Sequence, residues 1–131
     1  MKLRIHWDDP TCLAGISLAD AAEPEAGNMA LHACKNMETV VGNRERLAAA
    51  LSLSLDDFVC AAQTHSRNLQ SVTRADRGRG ARVQATAVPD TDALCTTEAG
   101  LGLCCFVADC VPLTFVTDDG TLAGVVHSGW R

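Results

Sequence analysis

Short apolar runs separated by turn residues dominate the second half of the chain. Residues 101–107 form the most hydrophobic run, and residues 122–126 form another. Runs of this length, bounded by Gly, Asp or Pro, predict buried β-strands. An Asp-Asp-Gly turn at residues 118–120 separates residues 113–116 from residues 122–126. These two segments are therefore expected to form an antiparallel hairpin.

The first half of the chain has one clear helical pattern, at residues 36–51. Apolar side chains recur there at steps of three and four residues, Asn36 suits an N-cap, and Glu38 suits the first turn. Asn43 and Arg44 fall on the polar side of this helix, which is expected to face solvent. Shorter apolar segments predict further strands at residues 3–7, 15–17, 58–62 and 69–73.

Composition narrows the class of protein. A chain of 131 residues with 47% hydrophobic residues has material for a single domain over residues 1–131. The net charge of −5 argues against a nucleic-acid surface, and the Arg- and Gly-rich residues 74–82 are expected to form a mobile, solvated loop. Seven irregularly spaced cysteines suit a reducing compartment. Without a signal-peptide pattern or a membrane-spanning run, the expected location is cytoplasmic.

Three side chains that can bind a metal or take part in catalysis follow or flank the predicted strands, namely His65, Cys110 and His127. Three protein ligands with a fourth position left open are typical of a catalytic zinc site, and copper accepts the same donors. Spacing alone fits two other interpretations. The histidines and the cysteine fit ordinary structural and packing roles, and Cys110 and His127 also fit a nucleophile–base pair. Asp109 is expected to orient the imidazole or to accept a hydrogen bond from a ligand histidine.

Four motifs, in this order, give the chain a family resemblance. They are Gln63-Thr64-His65, Asp92-Ala93-Leu94, Ala108-Asp109-Cys110-Val111-Pro112 and His127-Ser128-Gly129-Trp130-Arg131. The series resembles the YfiH-like family, also called the multicopper polyphenol oxidase or laccase-domain family. Members of that family are described as purine nucleoside phosphorylases.

The resemblance implies a fold, a metal and a reaction. The fold would be α/β (α+β), a mixed β-sheet sandwich with flanking helices, and the metal, zinc or copper, would be held by His65, Cys110 and His127. The enzyme would convert a purine nucleoside and phosphate into a base and ribose 1-phosphate, with adenosine deamination as a second activity. Cys110, His127 and Asp109 would be catalytic. Arg44 and Arg131 are candidate phosphate contacts, because the arginine fork donates two parallel hydrogen bonds.

Two alternatives to a phosphorylase stay open. One is a copper-dependent, laccase-like polyphenol oxidase, although four histidines in the whole chain are few for a multicopper cluster. The other is an inactive chain that only binds metal or a partner. Family members continue well beyond the Gly-Trp-Arg motif, so the domain is expected to lack its C-terminal part. An apolar strand at residues 122–126 without cover would then favour self-association.

Overall fold

The structure is a computed structural model that describes residues 1–130, so Arg131 lies outside the described part. The chain divides into two compact units, Met1–Leu55 and Asp56–Arg131. Both helix and strand are present, and the predicted mixed α/β class is confirmed.

The first unit contains a hairpin and a helix. Strands β1 (Lys2–Asp8) and β2 (Leu13–Leu18) pair antiparallel, which confirms the strands predicted near residues 3–7 and 15–17. Helix α1 (Met37–Ala50) begins after Asn36, whose side-chain oxygen accepts a hydrogen bond of 2.9 Å from the Thr39 amide. This cap satisfies one of the amides left free at a helix start, as the sequence predicted.

One face of α1 differs from the prediction. Asn43 and Arg44 are only 0% and 3% exposed, so the expectation that they face solvent is wrong. The Asn43 amide donates to the carbonyl oxygens of Pro24 and Asn28, and Arg44 Nε donates to that of Met29 at 2.7 Å. Polar groups are buried at low cost when backbone acceptors lie opposite them, and the preceding turn supplies those acceptors.

Two sheets make up the second unit. Strands β3 (Phe58–Cys60) and β6 (Gly102–Cys104) form a parallel pair. The larger sheet has the order β4-β5-β8-β7, with β4 and β5 parallel and the other neighbours antiparallel. Its strands are β4 (Leu69–Ser71), β5 (Ala93–Thr96), β7 (Val111–Val116) and β8 (Ala123–Ser128). The strands predicted near residues 58–62 and 69–73 and the β7–β8 hairpin are confirmed.

A buried apolar cluster joins the two sheets of the second unit. Val59 of β3, Val72 after β4 and Leu94 of β5 are each at most 1% exposed, and Val125 of β8 packs against them. Burying one such side chain contributes about 1.5–3 kcal/mol. This cluster fixes the strand ends from which the polar side chains project.

The apolar run at residues 101–107 is not the long buried strand that its composition predicted. Only Gly102–Cys104 is strand, and every residue of the run is partly exposed. The backbone of Phe106 pairs with a glutamine side chain instead of a neighbouring strand. The buried interior strand is β5, which was not predicted because four residues, Ala-Leu-Cys-Thr, show little periodicity.

The Arg- and Gly-rich segment is anchored by ion pairs. Arg77 pairs with Asp57, and Arg82 Nε lies 2.9 Å from an oxygen of Asp56. Gly80 and Ala81 are buried, whereas Arg74, Arg77 and Arg82 are exposed, so the expectation of a solvated loop holds for only part of the segment. Arg77, Arg79 and Arg82 stabilise the local fold, because each is paired with a neighbouring carboxylate, whereas Arg74 donates to the Ala99 carbonyl.

Strand β7 forms one edge of the larger sheet in the part of the chain that the structure describes. Its Val111, Leu113 and Phe115 are 53%, 50% and 37% exposed. Pro112 suits an edge strand because it has no amide to donate to a further strand. Self-association through this surface stays a prediction. No helix among residues 1–130 is long and apolar enough to span a membrane.

Candidate metal centre

The three predicted ligand residues converge within the second unit. One ligand atom from each of His65, Cys110 and His127 lies within 4.8 Å of the others. Cys110 Sγ lies 3.7 Å from His65 Nε2, and the two imidazole rings meet edge to face with centroids 4.8 Å apart. His65 is exposed, Cys110 is half-buried and His127 is buried. The group therefore lies at the protein surface, and His127 is its buried member.

Strand register brings Cys110 and His127 together. Val111, the first residue of β7, pairs with Ser128, and Pro112 pairs with His127. Cys110 therefore stands at the beginning of β7, opposite the end of β8. The expectation that it follows a strand over residues 101–107 is wrong, since that strand ends at Cys104.

His65 is held by a loop that wraps around one carboxylate, that of Asp92. Asp92 accepts hydrogen bonds from the backbone amides of Thr64, His65 and Ser66 at 3.0, 3.0 and 2.8 Å, and from the Ser66 hydroxyl at 2.8 Å. His65 has a φ of +59°, a left-handed conformation that few non-glycine residues adopt. Three amides directed at a single carboxylate maintain this conformation.

The same carboxylate orients the buried histidine. His127 Nδ1 lies 2.7 Å from Asp92 Oδ1, and both side chains are nearly fully buried. Burial raises the pKa of the Asp92 carboxyl, but hydrogen bonds from His127 and from the 64–66 loop outweigh burial, and the pKa lies well below its ordinary value of 3.8. An ionised carboxylate only accepts hydrogen bonds, so Nδ1 donates and Nε2 keeps the lone pair that a metal would need.

Asp92 takes the role that the sequence gave to Asp109. The Asp109 carboxylate lies beside the Cys110 thiol, with Oδ1 3.8 Å from Sγ, whereas the contact with the His127 ring is made by Asp92. Asp92 was noticed only as part of the Asp92-Ala93-Leu94 motif. Recognising β5 would have identified it, because Asp92 is the residue immediately before that strand.

An open cleft of about 750 Å³ adjoins the ligand residues. Arg67 and Ser128 line it beside the two histidines, and sequence reasoning missed Arg67. The other four arginines of residues 56–130 each donate to a carboxylate or a carbonyl group, whereas Arg67 has no such contact in the described structure. Its positive charge is therefore available to an anion in the cleft.

Two other arginines, Arg44 and Arg131, were predicted to bind phosphate. Arg44 lies in the first unit, where Nε donates to the Met29 carbonyl, and Arg131 lies outside the described residues. Their contact with phosphate stays a prediction.

The absence of a side chain at Gly129 leaves space for the His65 ring. A Cβ atom at Gly129 would lie 3.0 Å from His65 Cδ2, closer than ordinary van der Waals contact. The motif His-x-Gly-Trp-Arg therefore has glycine at this position because its backbone lies against the His65 ring.

The donor set fits a transition metal. Two imidazoles and one thiolate suit zinc or copper. Tetrahedral zinc places a thiolate sulfur and an imidazole nitrogen about 3.6 Å apart, given bond lengths of about 2.3 and 2.05 Å. The observed 3.7 Å between Cys110 Sγ and His65 Nε2 is close to that distance. The third donor would move inward by roughly 1 Å on binding, within the reach of a side-chain adjustment.

A family model described as "Multi-copper polyphenol oxidoreductase laccase" matches residues 13–131. The chain belongs to this family. A relative in Geobacillus stearothermophilus, purine nucleoside phosphorylase YlmD, is 48% identical over 104 residues, which is 79% of this chain and 38% of the relative. Adenosine deaminase RL5, from an unknown prokaryotic organism, is 35% identical over 92 residues, which is 70% of this chain and 35% of that protein.

Solved structures of the family agree with the fold. The crystal structure of YlmD from Geobacillus stearothermophilus superposes with a TM-score of 0.78 at 48% identity, covering 80% of this chain and 39% of that one. Bacillus licheniformis hypothetical protein YfiH gives a TM-score of 0.77 at 38% identity, covering 79% and 39%. The chain thus spans about two fifths of the length of these laccase-family relatives.

Proposed function

We propose that this chain forms the metal-binding part of a purine nucleoside phosphorylase, which splits inosine or adenosine with phosphate into a base and ribose 1-phosphate. The observation that carries the proposal is the convergence of His65, Cys110 and His127 within 4.8 Å beside an open cleft. The 48% identity to a protein named purine nucleoside phosphorylase supports the choice of reaction.

Zinc, with copper as the alternative, would be held by His65, Cys110 and His127. When bound, such a metal supplies a positive charge that polarises a substrate oxygen or lowers the pKa of bound water. His127 presents Nε2 because its Nδ1 donates to Asp92. Asp109 lies close enough to Cys110 to take the thiol proton, and metal binding requires the thiolate.

Phosphate needs a cation, because the chain as a whole carries a net charge of −5. Arg67 is the cation on the cleft wall, and its guanidinium fork suits an oxyanion. Its backbone is fixed on both sides. Ser66 is bound to Asp92, and the Asn68 side chain donates to the carbonyl and the carboxylate of Asp90 at 2.8 and 3.0 Å. The predicted phosphate contacts of Arg44 and Arg131 are separate from this one and stay predictions.

Adenosine deamination is the second candidate activity, supported by the 35% identity to a protein named adenosine deaminase. It would use the same three ligand residues but water in place of phosphate, since three protein ligands leave a coordination position open. The alternative of a copper-dependent polyphenol oxidase would need a histidine-rich multicopper cluster, whereas the group described here offers two histidines and one cysteine.

The test uses the purified protein that contains this chain, with inosine and phosphate as substrates. The expected result is hypoxanthine formation together with close to one equivalent of zinc, both of which decrease in His65→Ala, Cys110→Ala and His127→Ala. A protein that carries the metal but releases no base, from inosine or from adenosine, would show the phosphorylase proposal to be wrong.

Cysteine variants separate chemistry from stability. Cys104→Ala in β6 and Cys105→Ala serve as controls, and burial raises the pKa of the Cys105 thiol to about 11, so that group stays protonated. Cys110→Ala should abolish turnover, whereas the two control variants should retain most of it. Equal losses in all three would mean that the substitutions act on folding.

A further inference from the structure

The segments that carry His65 and Cys110 run side by side before they reach the site. Strands β3 and β6 pair in parallel, with Phe58 opposite Gly102 and Cys60 opposite Cys104. The ladder ends there, and residues 105–110 lie outside any strand. Something other than strand pairing must therefore keep the two segments together over the last residues before the ligands.

The side chain of Gln63 continues the pairing. Its Nε2 donates to the Phe106 carbonyl oxygen at 2.8 Å, and its Oε1 accepts from the Phe106 amide at 2.7 Å. A primary amide offers the same donor and acceptor as a peptide unit, so the glutamine replaces a strand backbone at this point. Two hydrogen bonds to one residue fix both its position and its orientation.

We infer that Gln63 is a positioning residue that places Cys110 in the ligand group. The inference deepens the proposed metal site and rests on it. Gln63 lies two residues before His65, and Phe106 lies four residues before Cys110, whose Sγ is 3.7 Å from His65 Nε2. The paired amides thus set the distance between the two segments immediately ahead of the two ligand atoms.

The consequence of losing Gln63 is specific to the sulfur ligand. His65 and His127 are both held by Asp92, through a backbone amide and through the ring, and neither contact involves Gln63. Removing the glutamine amide should release residues 105–109. Cys110 would then be held only from its C-terminal side, where Val111 pairs with Ser128, so its thiol should shift while both imidazoles stay in place. A role limited to general stability would not distinguish the sulfur ligand from the two nitrogen ligands.

Cobalt(II) substitution reads out the sulfur ligand directly, because a cobalt–thiolate bond gives a charge-transfer absorption in the near ultraviolet. The native protein should show this band, and Cys110→Ala, as the reference, should lack it. Gln63→Ala should lose most of the band and bind cobalt at least about tenfold more weakly, as expected when a residue that supports a ligand is removed. The visible bands from histidine-bound cobalt should persist.

Two further variants complete the comparison. Gln70→Ala is the matched control, since the Gln70 amide donates at 3.1 Å only to the adjacent Ser71 carbonyl on an exposed strand, and its band should equal the native one. Gln63→Glu keeps the acceptor for the Phe106 amide but loses the donor, so an intermediate band is expected. This milder variant provides the answer if Gln63→Ala does not fold, as judged by circular dichroism.

A native band and native cobalt affinity in a folded Gln63 variant would overturn the inference. Absence of the band from the native protein would show that Cys110 is not a ligand, which rejects the proposed metal site and the inference together. If the bands behave as expected but no nucleoside is cleaved, the proposed reaction fails while the role of Gln63 stands.

Discussion

Replacing Asp92 with asparagine tests the hydrogen-bond network behind the ligand residues. Oδ1 accepts from the His65 amide and the His127 ring, and Oδ2 accepts from the amides of Thr64 and Ser66 and from the Ser66 hydroxyl. Asparagine has one oxygen and one NH₂ group. With the NH₂ group at the Oδ2 position, the amides of Thr64 and Ser66 lose their acceptor. With the NH₂ group at the Oδ1 position, the His65 amide loses its acceptor, and the His127 ring must move its proton to Nε2.

The expected loss of stability follows from the one or two amides left without an acceptor. A buried donor left without a partner costs about 1–3 kcal/mol, so Asp92→Asn should lower the free energy of unfolding by roughly 1–6 kcal/mol at neutral pH. That range is a large part of the stability of a typical domain, about 5–15 kcal/mol. Affinity for zinc should also fall by about 10- to 100-fold, since His127 loses its ionised partner.

The effect should depend on pH with a defined sign. The folded state depresses the pKa of Asp92 below its ordinary value of 3.8, so its carboxylate contributes stability above that value. The contribution is lost as the pH falls toward the lower pKa of the folded state. The difference between the native protein and Asp92→Asn should therefore be large at neutral pH and shrink in acid.

Urea unfolding at several pH values measures this difference, with Asp119→Asn as the matched control. Asp119, in the β7–β8 turn, also accepts three hydrogen bonds from Thr117 and Thr121, which lower its pKa to about 2, but it is exposed to solvent. Water can replace those bonds, so a much smaller loss is expected. Equal losses at Asp92 and Asp119, or a loss at Asp92 that does not change with pH, would refute the reasoning.

Two further changes test the sheet and the cleft. Gly124→Ala should destabilise the protein by about 1–3 kcal/mol in urea unfolding, because the new Cβ would overlap the Phe115 ring and lie 2.7 Å from the Leu94 carbonyl oxygen; unchanged stability would contradict this packing. Arg67→Ala should raise the KM for phosphate about tenfold or more in steady-state phosphorolysis and spare adenosine deamination, which uses no phosphate. Arg74→Ala is its control, and an unchanged KM for phosphate would exclude Arg67 as the anion contact.

The sequence predicted elements well where local periodicity decided the outcome. Helix α1 and the β7–β8 hairpin follow from a cap, an apolar spacing and an Asp-Asp-Gly turn, all of which act within a few residues. The interior strand β5 was missed because its burial comes from neighbours distant in sequence, β4 and β8. The prediction of a long buried strand at residues 101–107 was wrong for the converse reason. The run is hydrophobic, but most of it has no neighbouring strand with which to pair.

The candidate site could be predicted in part. His65, Cys110 and His127 were identified by residue type and motif, and the structure brings them together. Asp92, Gln63 and Arg67 were not given roles, because their contacts join positions 26 to 43 residues apart or depend on the shape of the cleft. Such contacts become visible only when the register of the strands is known.

The double contact between Asp92 and His127 also has a consequence for folding. The His127 amide donates to the Asp92 carbonyl at 2.7 Å, one position beyond the Ala93–Val126 pair of the β5–β8 ladder. Asp92 and His127 are therefore joined both through the backbone and through their side chains. A slip of two residues would keep every side chain on its face but set Val125 or Gly129 opposite Asp92. The buried carboxylate would then lose its ring partner, a penalty that a misaligned sheet has no means of offsetting. The contacts that orient His127 thus also discriminate against misregistered strands while the sheet assembles.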